Sequence, residues 1–95
     1  MSYLAKNYNR KKISFKYGKG SFLYTKDKKK YLDFVQGIAV NSLGHAHPKL
    51  VKTINIQSKK LWHVSNAFQI PEGEKLAKKL CKKTFADYVM FQNSG

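Results

Sequence analysis

The side chains able to do chemistry are few. Three histidines (His45, His47, His63), one cysteine (Cys81) and five carboxylates (Asp27, Asp33, Glu72, Glu74, Asp87) stand among 19 lysines and arginines. His45-Ala46-His47 would put two imidazoles on one side of an extended segment, as in part of a metal site. A metal site needs a third ligand at a workable spacing, and neither His63 nor Cys81 bears a recognisable relation to the pair, so no metal is expected. The carboxylates fall at turn, strand-end and helix-start positions and are not paired for acid–base work. Gly18-Lys19-Gly20 opens like a dinucleotide loop, but Leu23 stands where the third glycine belongs, and there is no Gly-Lys-Ser/Thr phosphate loop. Those glycines read as a strand break, and Cys81 as a small core residue on a helical stripe.

One segment resists so plain a reading. Gly37-Ile38-Ala39-Val40-Asn41-Ser42-Leu43-Gly44-His45 brackets an apolar stretch between glycines, directly after a strand. It is too apolar for a solvated loop, and a long irregular connection needs partners for its backbone groups. It is either a core crossover or the wall of a pocket.

The elements that must position these residues begin with Ile13-Ser14-Phe15-Lys16-Tyr17, which alternates apolar and polar like a half-buried strand. Phe22-Leu23-Tyr24 and Tyr31-Leu32-Asp33-Phe34-Val35 read as two more, joined by a hairpin loop from Thr25 to Lys30. The first half is thus a short antiparallel meander. Pro48 fits the first turn of a helix whose Leu50, Val51, Ile54, Ser58 and Leu61 share a face, ending near Leu61 or Trp62. A second helix starts at Pro71, with Glu72 and Glu74 at its positive end and Lys82 and Lys83 at its negative end. Its buried stripe is Leu76, Ala77, Leu80 and Cys81. Asp87-Tyr88-Val89-Met90-Phe91 reads as a central strand. Gln92-Asn93-Ser94-Gly95 follows as the kind of turn that opens a phosphate-binding helix, so the sequence reads as cut in mid-motif.

Composition narrows the function classes. Ninety-five residues allow one small domain, and 42% hydrophobic with 14% aromatic content is not a disordered composition. No apolar run reaches the roughly 20 residues of a membrane helix, the start lacks an apolar signal core, and a single cysteine fits a reducing compartment. A cytoplasmic location with no membrane partner is expected. The net charge is +14, which raises a freestanding nucleic-acid-binding module as an alternative. Arg10 is the sole arginine, however, and the lysines are scattered point charges without the planar fork that reads bases. They read as a solvated surface, and no specific nucleic acid is expected.

At Tyr31-Leu32-Asp33-Phe34, the Gly37–His45 run and His47-Pro48, the sequence resembles the N-terminal part of class III (ornithine-type) aminotransferases. Tyr8-Asn9-Arg10, Gly18 and Gly20, Leu61-Trp62-His63-Val64-Ser65-Asn66 and Asn93-Ser94-Gly95 extend the likeness over nearly the whole chain, in order and at family spacing. The resemblance implies an α/β chain, an N-terminal fragment of the type I aminotransferase fold. Residues 1–12 would be an arm, 13–46 the small-domain meander and crossover, and 47–95 the helices and start of the large cofactor-binding domain. It implies pyridoxal 5′-phosphate as cofactor, a small-molecule amino donor and a 2-oxo acid as substrates, and a homodimer at full length. The cofactor's phosphate would meet Ser94 and Gly95, and Tyr8 and Ile38 would line the substrate side. The family's Schiff-base lysine would lie beyond the matched positions, so the chain alone is expected to be inactive. Within the family, the Gly37–His45 and Trp62–Asn66 runs lean toward N-acetylornithine as donor over succinyl-diaminopimelate, ornithine or 4-aminobutyrate. Ornithine-specific members tend to carry tyrosine where this chain has Ile38. Lys28 departs from the family, which usually has glycine in that hairpin. The turn must differ, or the lysine must be strained toward positive φ.

Overall fold

A computed structural model describes residues 2–94. The chain divides into two compact units, the first reaching to Lys60 and the second starting at Leu61.

The first unit holds the expected meander. Strands β1 (Phe15–Lys19), β2 (Phe22–Thr25) and β3 (Lys30–Leu32) form one antiparallel sheet in the order β1-β2-β3. Gly18 and Lys19, expected to break the first strand, belong to it, and the register runs through Gly18↔Leu23 and Lys19↔Phe22. The break falls at the two-residue turn Gly20-Ser21, where Gly20 takes φ +56°, a left-handed value that glycine supplies without a Cβ penalty. Phe15 pairs with Thr25 and Tyr17 with Tyr24, so Lys16 is bulged out of the ladder. Aromatic pairs brace the sheet: Tyr17 stacks on Tyr24 at 4.6 Å, and Phe15 meets Tyr31 edge-on at 5.6 Å.

The second hairpin carries the lysine departure. Lys28 sits at φ +63°, so of the two possibilities the backbone is strained. Thr25 holds the turn: its hydroxyl bonds the Asp27 carboxylate and accepts the Lys29 N–H at 3.1 Å, while its carbonyl accepts the Lys28 N–H.

Beyond β3 comes a single helical turn, α1 (Gln36–Ala39), which periodicity did not foretell. Helix α2 (Pro48–Gln57) begins at Pro48 as expected, with His47 as its N-cap accepting the Lys49 N–H on Nδ1 at 3.2 Å. It stops at Gln57, short of Leu61. Its last turn, Ile54-Asn55-Ile56, is made of weak helix formers, and Lys59 and Lys60 follow in turns.

In the second unit α3 (Pro71–Lys83) has its expected bounds, with Glu72 and Glu74 in the first turn and Lys82 and Lys83 in the last. The expected strand at residues 87–91 has no ladder among the described residues. A strand exists only by pairing, and no described segment pairs with it. Instead Val89 and Phe91 border a groove with Ile70, Gly73, Glu74 and Ala77 of the α3 region.

None of the described residues is buried. The stripe expected to be core on α3 is open, with Ala77 and Cys81 half-buried and Leu76 and Leu80 exposed. The accessible surface is 9825 Å². Two folded bodies of this length, kept wholly apart, would expose only about 6,700 Å² between them. The apolar faces are patterned for burial, but these residues alone do not bury them.

Candidate functional site

The most constrained point of the first unit is the Gly20-Ser21 turn. Gly20 and His45 exchange backbone bonds in both directions, at 3.0 and 2.8 Å, and the Asp33 N–H reaches the Ser21 carbonyl at 2.8 Å. Both ends of the segment between Asp33 and His45 are therefore fastened to one hairpin turn. The close approach needs glycine. A Cβ on Gly44, whose φ is +83°, would meet the Gly20 carbonyl at 3.0 Å, and one on Gly18 would meet His45 Cγ at 2.5 Å.

A side-chain bond locks the same two ends together. His45 Nε2 lies 2.6 Å from Asp33 Oδ2. An ionised carboxylate only accepts, so Nε2–H is the donor. Asp33 Oδ1 accepts the N–H groups of Val35 at 3.0 Å and Gln36 at 2.9 Å. The Asp33 side chain is 7% exposed and that of His45 19%. Bonds from the Gln36 N–H, the His45 ring and the Val35 N–H hold the Asp33 carboxyl below its ordinary value, against the opposing effect of desolvation.

Within the clamped segment lies the strained turn α1. Gln36, Gly37, Ile38 and Ala39 have φ of +51°, +63°, +66° and +59°, so four successive residues are left-handed. For the three that are not glycine this costs about 1–2 kcal/mol each, and β-branched Ile38 is the most unusual of them. The Val35 carbonyl accepts from Ile38 and Ala39, and that of Gln36 from Val40 and Asn41. Ile38 projects from this turn 84% exposed.

Within the first unit the expected site residues Tyr8 and Ile38 do not line a common hollow. Tyr8 is 70% exposed in the arm, with the Arg10 guanidinium 5.2 Å over its ring. The concavity beside Tyr8 is lined by residues of the arm alone, without Ile38. Ser94 is exposed in the second unit, and Gly95 lies outside the described residues. The Ser94 hydroxyl suits one phosphate oxygen, but a dianion needs several donors. The groove of that unit, lined partly by Val89 and Phe91, carries the Glu74 carboxylate and does not include Ser94. Among the described residues of the second unit, Ser94 thus offers a single exposed hydroxyl where the sequence suggests a phosphate turn.

His45 and His47 do not act as a pair, since one bonds Asp33 and the other caps α2. Among the described residues no three metal-ligating side chains come together. All 18 lysines are exposed, in keeping with a solvated surface. Sequence reasoning took Asp33 for a strand end and missed its bond to His45. The available signal was the set Gly18, Gly20 and Gly44, three glycines where two segments touch.

This clamped meander and crossover has close counterparts. The family model for class-III aminotransferases matches residues 3–95, and the chain belongs to that family, whose cofactor is pyridoxal 5′-phosphate. Over 88 residues, 93% of this chain, it is 54% identical to the acetylornithine aminotransferase of Brucella melitensis, of which it covers 22%. The crystal structure of acetylornithine aminotransferase from Elizabethkingia anophelis superposes with a TM-score of 0.83 at 29% identity, over 90% of this chain and 22% of that one. Ornithine delta-aminotransferase from Plasmodium falciparum gives a TM-score of 0.82 at 30% identity, over the same shares. The chain spans about a fifth of the length of the curated relatives it matches. The architecture is that of the N-terminal portion of the type I aminotransferase fold. No helix among the described residues is long and apolar enough to cross a membrane.

Proposed function

We propose that this chain is the N-terminal portion of an aminotransferase that moves the amino group of N-acetylornithine to 2-oxoglutarate, a step of arginine biosynthesis, acting as a cytoplasmic homodimer. The observation that carries the donor is the 54% identity, over nearly the whole chain, to a relative named acetylornithine aminotransferase. Ile38 supports it, standing exposed where ornithine-specific members tend to carry tyrosine. The same reading assigns residues 1–12 to an arm, 13–46 to the small domain and its crossover, and 47–95 to the start of the large domain.

In this reading Tyr8 and Ile38 border the donor, and Ser94 and Gly95 begin the phosphate cradle. Pyridoxal 5′-phosphate, when bound, supplies the electron sink of amino transfer. What these residues contribute is shape: an apolar Ile38 face accepts the donor's methylene chain without asking for a hydrogen bond.

The test is to express the reading frame that contains this sequence at family length and compare kcat/KM for N-acetylornithine, ornithine, succinyl-diaminopimelate and 4-aminobutyrate, each with 2-oxoglutarate. N-acetylornithine is expected to lead by at least about tenfold. A lead by any other donor overturns the assignment.

A further inference from the structure

The left-handed turn α1 raises the question of what selects its hand. Its internal bonds, from Val35 and Gln36 carbonyls to N–H groups three to five residues on, would form as well in a right-handed turn, which Gln36, Ile38 and Ala39 all prefer. The hand must therefore be imposed at the ends. At the entry, Asp33 Oδ1 draws in the N–H groups of both Val35 and Gln36 and so fixes the direction from which the chain enters the turn. At the exit, Asp33 Oδ2 holds His45 at 2.6 Å, and His45 is fastened in turn to Gly20. One carboxylate thus governs both ends of the strained segment.

We propose that Asp33 and His45 are a positioning pair: they clamp the segment 34–44 so that Gln36–Ala39 keep their left-handed form, and thereby set Ile38 against the amino donor, so that donor affinity depends on two residues acting through the loop. The inference rests on the proposed aminotransferase reading and extends it to residues that reading does not use. Strain of this kind persists only where the surroundings over-determine it, and it collects at functional positions. A plain structural brace would not need the turn to be left-handed.

The experiment uses the family-length protein and two readouts. In the first, Asp33→Ala is expected to raise KM for N-acetylornithine about tenfold with kcat within about twofold, as misplacement of a binding wall should. Adding Ala39→Gly, which tolerates φ +59° without a Cβ penalty, is expected to bring KM back to within about threefold of the parent. An unchanged KM, or a raised KM that glycine does not rescue, overturns the proposal. The second readout needs no substrate. Amide hydrogen exchange across residues 34–44 is expected to quicken at least about tenfold in Asp33→Ala, and unchanged exchange overturns the proposal. If the parent turns over none of the four donors, the aminotransferase reading has failed and the exchange arm decides the pair alone. If Asp33→Ala does not fold, His45→Ala takes its place in both arms, since it leaves the Val35 and Gln36 bonds intact.

Discussion

Replacing Gly18 by alanine tests the clamp from the strand side. The added Cβ would stand 2.5 Å from His45 Cγ, 2.6 Å from its Cβ and 3.0 Å from Nδ1. Carbon atoms settle at about 3.5–4.0 Å, so the imidazole must retreat by about 1 Å. Its Nε2 is 2.6 Å from Asp33 Oδ2, and such a retreat in the wrong direction ends the bond. Losing a hydrogen bond to an ionised group costs about 1.5–3 kcal/mol, and keeping it against the clash costs about 1–3 kcal/mol. Alanine returns about 0.5–1 kcal/mol by restricting the unfolded chain, leaving a net loss of about 1.5 kcal/mol. Native-state exchange of the Gly20 and His45 amides, which close the bridge, should then quicken by about tenfold. In a double-mutant cycle, His45→Gly should remove most of the penalty, because neither the ring nor the Cβ remains to collide. Unchanged protection in Gly18→Ala would mean that His45 swings aside freely and that its bond to Asp33 does not close the node.

The other expectations concern the hairpin, the carboxylate and the bare surface. Lys28→Gly removes a left-handed penalty of about 1–2 kcal/mol and adds about 0.5–1 kcal/mol of unfolded-state entropy. The net gain of about 0.7 kcal/mol should triple the folded-to-unfolded ratio of the hairpin in a peptide of residues 13–33, read from cross-strand NMR contacts. Because Asp33 titrates below its unfolded value, its contribution is present above about pH 4 and is lost as pH falls through the depressed value. Exchange protection at His45, corrected for intrinsic rates, should fall across that acid window in the parent and stay flat in Asp33→Asn. Residues 1–95 expressed alone should associate and melt without a cooperative transition, since no described residue is buried. A sharp circular-dichroism melt from a monomer in sedimentation would contradict this.

What the sequence disclosed follows the range of the interactions involved. Pro48 and Pro71 mark their helix starts because a missing N–H is a local matter, and the meander shows in its period-2 pattern. Lys28 announced its strain because the family's glycine is absent at a single turn position. Residues 87–91 misled because their apolar run states a preference for burial, whereas a strand also needs a pairing segment and none of the described residues supplies one. The Asp33–His45 bond was hidden because it joins residues 12 apart through a fold that brings a turn, a strand end and a loop end together. Of the expected site, Ile38 stood out through its glycine-bracketed setting, but its left-handed backbone did not, since neither isoleucine nor alanine favours that hand.

The Gly20-Ser21 turn also sets an order of events during folding. Its own hairpin closes over a few residues, whereas docking His45 on Gly20 must close a loop of about 25 residues, at an entropic cost of about 3 kcal/mol. The docking surface does not exist until the hairpin does, so the meander is expected to form in the folding nucleus and α1 to acquire its hand afterwards. Strain stored in Gln36, Ile38 and Ala39 is then absent from the rate-limiting barrier. Substitutions that relieve it should slow unfolding while leaving the folding rate almost untouched.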